Sequence, residues 1–225
     1  MNGQQNVFIV EAQSELKFDI MKCMFRLTHQ GIRKAILEYE TQQHHQYREL
    51  FSSQRKKNLR PAAVMMPLLE YKKCWHLLFT HRSESLVEHS GQVAFPGGAK
   101  ELRDKDLEGT ALREMNEEIG INPQDVIVYG HLGDKSIVTG YMVRPYVGLI
   151  PWPYPLKISS DEVESTFIVP LEWLADPAHR TIRYRSFAGR EFPMLFFDHF
   201  QGHQLWGFSA EMTIALLGAL GVIIE

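Results

Sequence analysis

From Pro61 onward, the apolar and polar positions of the chain predict a mixed α/β structure. Short apolar runs bounded by polar turn residues are typical of strands, and a longer apolar run near the C-terminus is typical of a helix packed on a core. Interleaved elements of this kind predict a mixed sheet with helices packed on it. The predicted strands are Ala62–Leu69, Trp75–Thr80, Val93–Phe95, Val126–Leu132, Met142–Leu149 and Thr166–Pro170, and the predicted C-terminal helix is Ser209–Ile224.

The N-terminal part of the chain has a different pattern. Ala12–Leu50 lacks proline and contains one glycine, which favours helices because both residue types interrupt them. Phe25, Ile32, Ile36 and Leu37 partly fit the apolar stripe of an amphipathic helix. The sequence therefore predicts a helical N-terminal extension over residues 1–58 and one mixed α/β domain over residues 59–225.

Composition and charge narrow the class of protein. The chain has 225 residues, 44% of them hydrophobic and 23% charged, which are globular values. A formal net charge of −3 gives no reason to expect nucleic-acid binding. The longest apolar run, Met212–Ile224, is shorter than the roughly 20 residues that span a bilayer, so no membrane contact is expected.

Cysteine usage agrees with a cytoplasmic protein. Cys23 and Cys74 could pair only with each other, and because one pair makes no disulfide framework, reduced thiols are the simpler interpretation. We expect no secretory signal, since the apolar stretch Val7–Val10 is too short for one. The oligomeric state stays open, with a homodimer as one option.

The candidate chemistry lies between Phe95 and Ile121, in FPGGAKELRDKDLEGTALREMNEEIGI. Residues three and four apart share one face of a helix, so Glu114, Glu117 and Glu118 are expected to point into one small volume. Like charges at this spacing repel, and a hard divalent cation such as Mg²⁺ would offset the repulsion. A solvated acidic face is the alternative. An apolar stripe that can anchor the same helix to a core consists of Leu112, Met115 and Ile119.

Behind the glycine turn, the Arg-Glu, Glu-Glu and Gly-Ile elements of REMNEEIGI fall in register with the Nudix box, and the segment resembles that signature of hydrolases that cut a nucleoside diphosphate linked to another moiety. The resemblance implies an α/β/α sandwich with a mixed sheet and bound Mg²⁺ or Mn²⁺. It implies metal ligands from Glu114, Glu117, Glu118 and the backbone carbonyl of Gly98. Arg113 would pair with a nearby carboxylate and hold the ligands in place.

The loop before the helix departs from the common box, because it is one residue longer. The usual mid-box glutamate therefore has no unique counterpart, and Asp104 and Asp106 are the nearest acids. The coenzyme A diphosphatase branch of the family carries the same longer loop. Its upstream signature resembles LLFTHRSESLVEHSGQVAFPGGAKE, from Leu77 to Glu101.

This second resemblance implies substrate contacts upstream of the box. Arg82 and His89 are candidates for binding a substrate phosphate, with a structural hydrogen bond as the alternative for His89. One signature residue differs, because the branch usually has an arginine where this chain has Val87. The implied activity is hydrolysis of the diphosphate bond of coenzyme A or acyl-coenzyme A, which yields 3′,5′-ADP and (acyl-)4′-phosphopantetheine.

Two other functions stay open. Val87 leaves room for Nudix hydrolysis of ADP-ribose, a dinucleotide or a nucleoside triphosphate. A non-catalytic regulator that binds a nucleotide is disfavoured, because such proteins commonly lose box carboxylates and all three are intact here. In each case the expected partner is a small nucleotide.

The general base has two candidates. Glu114 is one, because its counterpart acts as the base in some family members. Glu162, in the loop SSDEVE, is the other, because further members place a base or an extra metal ligand in the corresponding loop. An ordinary exposed loop acid is the alternative for Glu162, and only geometry can decide whether either carboxylate reaches an attacking water.

Overall fold

The structure is a computed structural model that describes residues 27–50, 59–84, 91–137, 140–187 and 190–223. Its central feature is an eight-stranded mixed sheet. The strands are β1 Arg60–Tyr71, β2 Cys74–Arg82, β3 Val93–Ala94, β4 Gly97–Ala99, β5 Ile127–His131, β6 Lys135–Ser136, β7 Tyr141–Leu149 and β8 Val163–Pro170. Strands β3, β2, β1, β7 and β5 lie side by side in this order. Strand β1 pairs parallel with β7 and antiparallel with β2, while β8 extends the sheet beyond β2.

Helices cover both faces of this sheet. The alternation of side chains along β1 sends Met66 and Leu68 into one core and Met65 and Leu69 into the other. The second helix packs in the Met65 core, and the other three contribute to the Met66 core. The expected α/β/α sandwich is therefore confirmed. The helices are α1 His29–Leu50, α2 Leu107–Ile119, α3 Leu171–Ala175 and α4 Gly207–Ala219.

The N-terminal helix α1 is docked on β5 and the start of β2. Ile32 and Ile36 are fully buried, whereas Leu37 is 47% exposed, so among the described residues the predicted apolar stripe holds for the two isoleucines only. Phe25 lies outside the described residues. The Trp75 indole N–H donates to the Leu27 carbonyl at 3.0 Å. The helix is thus part of the packed structure.

A second, three-stranded sheet was missed by the sequence pattern. It consists of β9 Arg180–Phe187, β10 Arg190–Phe200 and β11 His203–Trp206, with β10 in the middle. Strand β9 places Ile182 and Tyr184 in solvent, as it does Arg183 and Arg185. Because the side chains described along β9 form no buried face, a sequence pattern has no in–out alternation to detect there.

The expectation about the cysteines has a definite outcome. Cys74 is disulfide-bonded, so the expectation of reduced thiols is wrong, because the spacing of a single cysteine pair does not decide its redox state; Cys23 lies outside the described residues. Within the described part of the chain, no helix is long and apolar enough to cross a membrane.

Candidate active site

The local sequence fixes both ends of α2, the helix that carries the acidic residues. Asp106 begins the helix, and its carboxylate accepts a hydrogen bond from the Gly109 N–H at 2.8 Å. Gly120 ends it in the left-handed conformation, with φ of 74°. Met115 and Ile119 are fully buried against the sheet, which turns the acidic residues toward β4 and the end of β2.

Glu118 is the most deeply buried acid of the box, with 1% of its surface exposed. Its Oε1 lies 3.4 Å from the Gly97 N–H donor and 3.9 Å from Nη1 of Arg82. Its Oε2 is buried and has no hydrogen-bond partner among the described residues. Burial raises the pKa of this carboxyl to about 8, against the weaker opposing influence of Arg82.

Three carboxylates converge at this point. Ligand oxygens of Glu114, Glu118 and Glu162 all lie within 4.8 Å of one another. The pKa of Glu114 is raised, chiefly by burial. Gly98 lies directly against this group, since a Cβ atom at that position would collide with the Glu114 carboxylate. Glu162 arrives from the turn before β8, where its carbonyl accepts the Ser83 N–H at 3.0 Å.

Arg113 organises the carboxylates from the side. Its Nε donates to Oδ1 of Asp104 at 2.8 Å, and its Nη2 lies 2.9 Å from Oε1 of Glu114. The Arg113 guanidinium holds the pKa of Asp104 well below its usual range. Of the two loop acids left open by the sequence, Asp104 thus pairs with Arg113, whereas Asp106 caps the helix.

Glu117 stands apart from the three converging carboxylates. Its Oε1 accepts from Nη2 of Arg103 at 2.9 Å, and its Oε2 accepts from Nη1 of Arg113 at 2.8 Å. The side chain is 41% exposed. Helical spacing does not predict the contact of Arg103 with Glu117, because a loop residue has no fixed spacing from a helix face.

Of the two substrate-binding candidates, the structure describes one. Arg82 lies at the end of β2 beside Glu118, and its Nε is buried without a hydrogen-bond partner among the described residues. A buried donor that lacks a partner costs free energy, so an anionic group bound here would satisfy it. His89 and Val87 lie outside the described residues.

The donor set fits a hard divalent cation. Mg²⁺ and Mn²⁺ prefer carboxylate and carbonyl oxygens, and the converging group offers three carboxylates, one with an orphaned buried oxygen. Without a cation, the proximity of Glu114 and Glu162 raises the pKa of Glu118 further. Glu114, Glu118 and Glu162 are therefore the residues that would hold the metal.

Metal-free protein should become less stable as the pH rises from about 4.3 to about 8. In this range the unfolded chain has already released the Glu118 proton, near the ordinary pKa of glutamate, whereas the folded chain retains it to about pH 8. We expect Glu118→Gln to remove this loss and to raise the Tm of metal-free protein at pH 8 by about 5 °C or more. Thermal unfolding of both proteins at pH 5, 6.5 and 8 measures the difference.

Two controls belong to that experiment. Glu108→Gln removes an exposed acid from the first turn of the same helix and should leave the Tm nearly unchanged. Millimolar Mg²⁺ should raise the Tm of the parent protein more than that of Glu118→Gln. If the Tm of Glu118→Gln were equal to or below that of the parent protein at every pH, the buried Glu118 charge would not be destabilising.

The chain matches known proteins over the region that contains this site. The family model described as the NUDIX domain matches residues 59–188. A protein of Salmonella paratyphi B named "Uncharacterized Nudix hydrolase NudL" is 38% identical over 167 residues, which cover 73% of this chain and 85% of the relative. The protein of the same name from Escherichia coli SMS-3-5 is 40% identical over 149 residues, covering 66% of this chain and 71% of the relative.

Solved structures superpose more loosely. A MutT/nudix family protein from Enterococcus faecalis has a TM-score of 0.49 at 14% identity, covering 87% of this chain and 75% of that one. A binary complex of the Ap4A hydrolase of C. elegans has a TM-score of 0.44 at 17% identity, covering 51% of this chain and 82% of that one. The family model and the curated relatives show that the chain belongs to the Nudix hydrolases, enzymes that act on phosphorus anhydrides.

Proposed function

We propose that this Nudix hydrolase cleaves the diphosphate bond of coenzyme A or an acyl-coenzyme A. One observation carries the substrate assignment: Arg82, which belongs to the signature upstream of the box, lies 3.9 Å from Glu118 within it. The part of the sequence that resembles the coenzyme A branch therefore contributes a cation beside the carboxylates. That position suits a substrate phosphate next to a bound metal ion.

The residues around this site suit hydrolysis of a diphosphate. When bound, the divalent cation neutralises phosphate oxygens and acidifies water. Glu114, Glu118 and Glu162 would hold it, and the Arg82 guanidinium beside Glu118 would bind and orient a phosphate. Gly97 and Gly98 let the backbone lie close to the carboxylates, because a side chain at Gly98 would collide with Glu114.

Water attacks one phosphorus atom, and the bond from that phosphorus to the bridging oxygen breaks. The proton of the water passes to a carboxylate, and the two products are 3′,5′-ADP and (acyl-)4′-phosphopantetheine. Positioning and electrostatic stabilisation supply most of the rate in such transfers.

Glu162 is the base that we propose. Arg113 already occupies Oε1 of Glu114 at 2.9 Å, whereas none of the described lysine, arginine or histidine nitrogens lies within 4.0 Å of a Glu162 carboxylate oxygen. One Glu162 oxygen would bind the metal ion, and the second, which none of these described side-chain cations contacts, would be free to take a proton. We expect Glu162→Gln to lower kcat by about 100-fold or more.

A metal-binding role for Glu162 must be separated from a role as base. The pH profile of kcat and the dependence of rate on Mg²⁺ concentration do this together. Glu162 is supported as the general base if Glu162→Gln loses the acidic limb of the pH profile and saturating Mg²⁺ does not restore its rate. Recovery at high Mg²⁺ shows a ligand only, and a loss smaller than tenfold transfers the role to Glu114.

Product analysis by mass spectrometry tests the substrate. The protein, with Mg²⁺ and separately with Mn²⁺, is given coenzyme A, an acyl-coenzyme A, ADP-ribose, NADH and a nucleoside triphosphate. We expect 3′,5′-ADP and phosphopantetheine to dominate. If coenzyme A stays intact while ADP-ribose, a dinucleotide or a triphosphate is cleaved, the proposal is wrong. The alternative, Nudix hydrolysis of another nucleotide, which Val87 keeps open, would then replace it.

A further inference from the structure

Strand β8 is irregular at its start, next to the converging carboxylates. Its register with β2 places Ser165 opposite His81. The register then shifts, so that Arg82, the next residue of β2, lies opposite Val163. Glu164 is thus the extra residue of a β-bulge, and a bulge next to a site re-aims the side chains beside it.

The bulge changes the face of the sheet toward which β8 points. In a regular strand, residues an even number of positions apart share one face. Val163 is nevertheless fully buried in the core that contains α2, whereas Phe167, four residues further on, packs against the other core. The start of β8 is therefore turned toward α2, and Glu162, the residue before Val163, reaches the other two converging carboxylates.

The bulge is held at two points. On the backbone, the Ser83 N–H donates to the Glu162 carbonyl at 3.0 Å. The bulged residue itself is held through its side chain, because Oε2 of Glu164 lies 3.0 Å from Nδ1 of His81, which can donate to it. The side-chain contact joins the extra residue of β8 to the neighbouring strand β2 at the point where the register shifts.

His81 is in turn fixed by the second sheet. Its side chain is 20% exposed, and its ring centroid lies 4.8 Å from that of His203 on β11. The His203 ring stacks on Phe167 of β8, with 4.3 Å between the centroids. Glu164 is 56% exposed, so loss of the contact with His81 would release a side chain that has solvent around it.

We infer that the contact between His81 and Glu164 positions the Glu162 carboxylate at the candidate metal site. The inference rests on the proposed function, because it takes Glu162 as one of the three residues that would hold the metal. Glu164 and His81 lie outside the converging group and act through Glu162 as positioning residues. Their contact fixes the backbone of the bulge, and the bulge sets the direction in which Glu162 points.

The expected size of the effect follows from the strength of one such contact. A side-chain hydrogen bond typically changes an equilibrium constant by about two- to tenfold. Glu164→Ala should therefore weaken Mg²⁺ and Mn²⁺ binding by about two- to tenfold, because part of the hydrogen-bond free energy is then spent on orienting Glu162. A contact that serves the fold alone would lower the Tm and leave the metal affinity unchanged.

Calorimetric titration of the metal-free 225-residue protein with Mg²⁺, and separately with Mn²⁺, tests the inference. Glu164→Gln is the matched control, since both substitutions remove the negative charge but glutamine keeps an oxygen that can accept from His81. We expect Glu164→Ala to bind metal more weakly than Glu164→Gln does. His81→Ala should weaken binding by a similar factor, and adding it to Glu164→Ala should weaken binding no further, because both substitutions break the same contact.

A second comparison shows whether the effect passes through Glu162. In the Glu162→Gln background, the difference between Glu164→Ala and Glu164→Gln should vanish, because the carboxylate that the contact positions is already gone. Where Glu162→Gln abolishes measurable binding, the comparison of Glu164→Ala with Glu164→Gln decides. Thermal unfolding of every variant ensures that each titration is made well below the Tm.

The outcomes separate the inference from the proposed function. Equal affinities of Glu164→Ala and Glu164→Gln, or a difference that persists with Glu162→Gln, overturn the positioning role and leave the metal site intact. Absence of saturable metal binding by the parent protein, together with uncleaved nucleotide substrates, would instead overturn the proposed function.

Discussion

Glu118→Gln is expected to lower kcat/KM for the hydrolysed substrate by at least about 100-fold. Loss of a residue that merely supports a metal ligand already costs roughly 10–100-fold, and Glu118 has the orphaned, fully buried oxygen of the converging carboxylates. Glutamine keeps the size of the side chain and removes its charge. Steady-state kinetics across a range of Mg²⁺ concentrations measure the loss.

The fold should survive this substitution, because it removes a charge and no core packing. Circular dichroism checks the fold, and Glu108→Gln, on an exposed position of the same helix, should retain near-parental kinetics. Comparable kinetics of Glu118→Gln and Glu108→Gln would show that Glu118 does not hold the metal ion.

Among the substitutions considered for this protein, Arg113→Ala should lower the free energy of unfolding most, and it should also lower activity. It leaves the buried Asp104 without its guanidinium, and breaking a buried ion pair costs about 3–5 kcal/mol. It also frees Glu114 and Glu117, which disturbs the geometry of the carboxylates. Urea unfolding and steady-state kinetics measure the two effects.

The pH dependence and a second substitution show whether the cause is the stranded charge. The depressed pKa of Asp104 contributes stability above about pH 4 that is lost as the pH falls further. The gap between the parent and Arg113→Ala should therefore narrow below that pH. Adding Asp104→Asn should recover part of the lost stability at pH 7, and a double variant no more stable than the single one would contradict this explanation.

Much of the sandwich could be predicted from local patterns. The apolar stripe of α2, its glycine stop and the apolar run of β1 are short-range features. The stripe and the run match the burial of Met115, Ile119 and Met65, and the stop matches the left-handed Gly120. The sheet of β9–β11 could not be predicted in this way. Phe196 and Trp206 stack on one another across β10 and β11, and the two guanidiniums of Arg183 and Arg185 lie over them, so this sheet depends on cross-strand contacts.

Helical spacing places the box glutamates on one face but does not determine their side-chain directions. Glu114 and Glu118 turn toward Glu162, whereas Glu117 turns toward two arginines. The direction of each glutamate side chain depends on Arg103 and Glu162. Arg103 lies on a loop whose path no sequence periodicity describes, and Glu162 reaches the site through the pairing of β8 with β2. Those relations are tertiary, and a linear pattern does not contain them.

The pairing of β8 with β2 has a consequence for how the protein gains its chemistry during folding. β2 and β8 are distant in sequence, and contacts between distant segments carry a large entropic cost of closure and form slowly. A nascent chain that stops before Glu162 would contain the whole signature helix and still lack Glu162 and the strand that positions it. The proposed three-carboxylate metal site is thus complete only in the finished topology, and a metal-binding signal during refolding would report when the strands distant in sequence have joined.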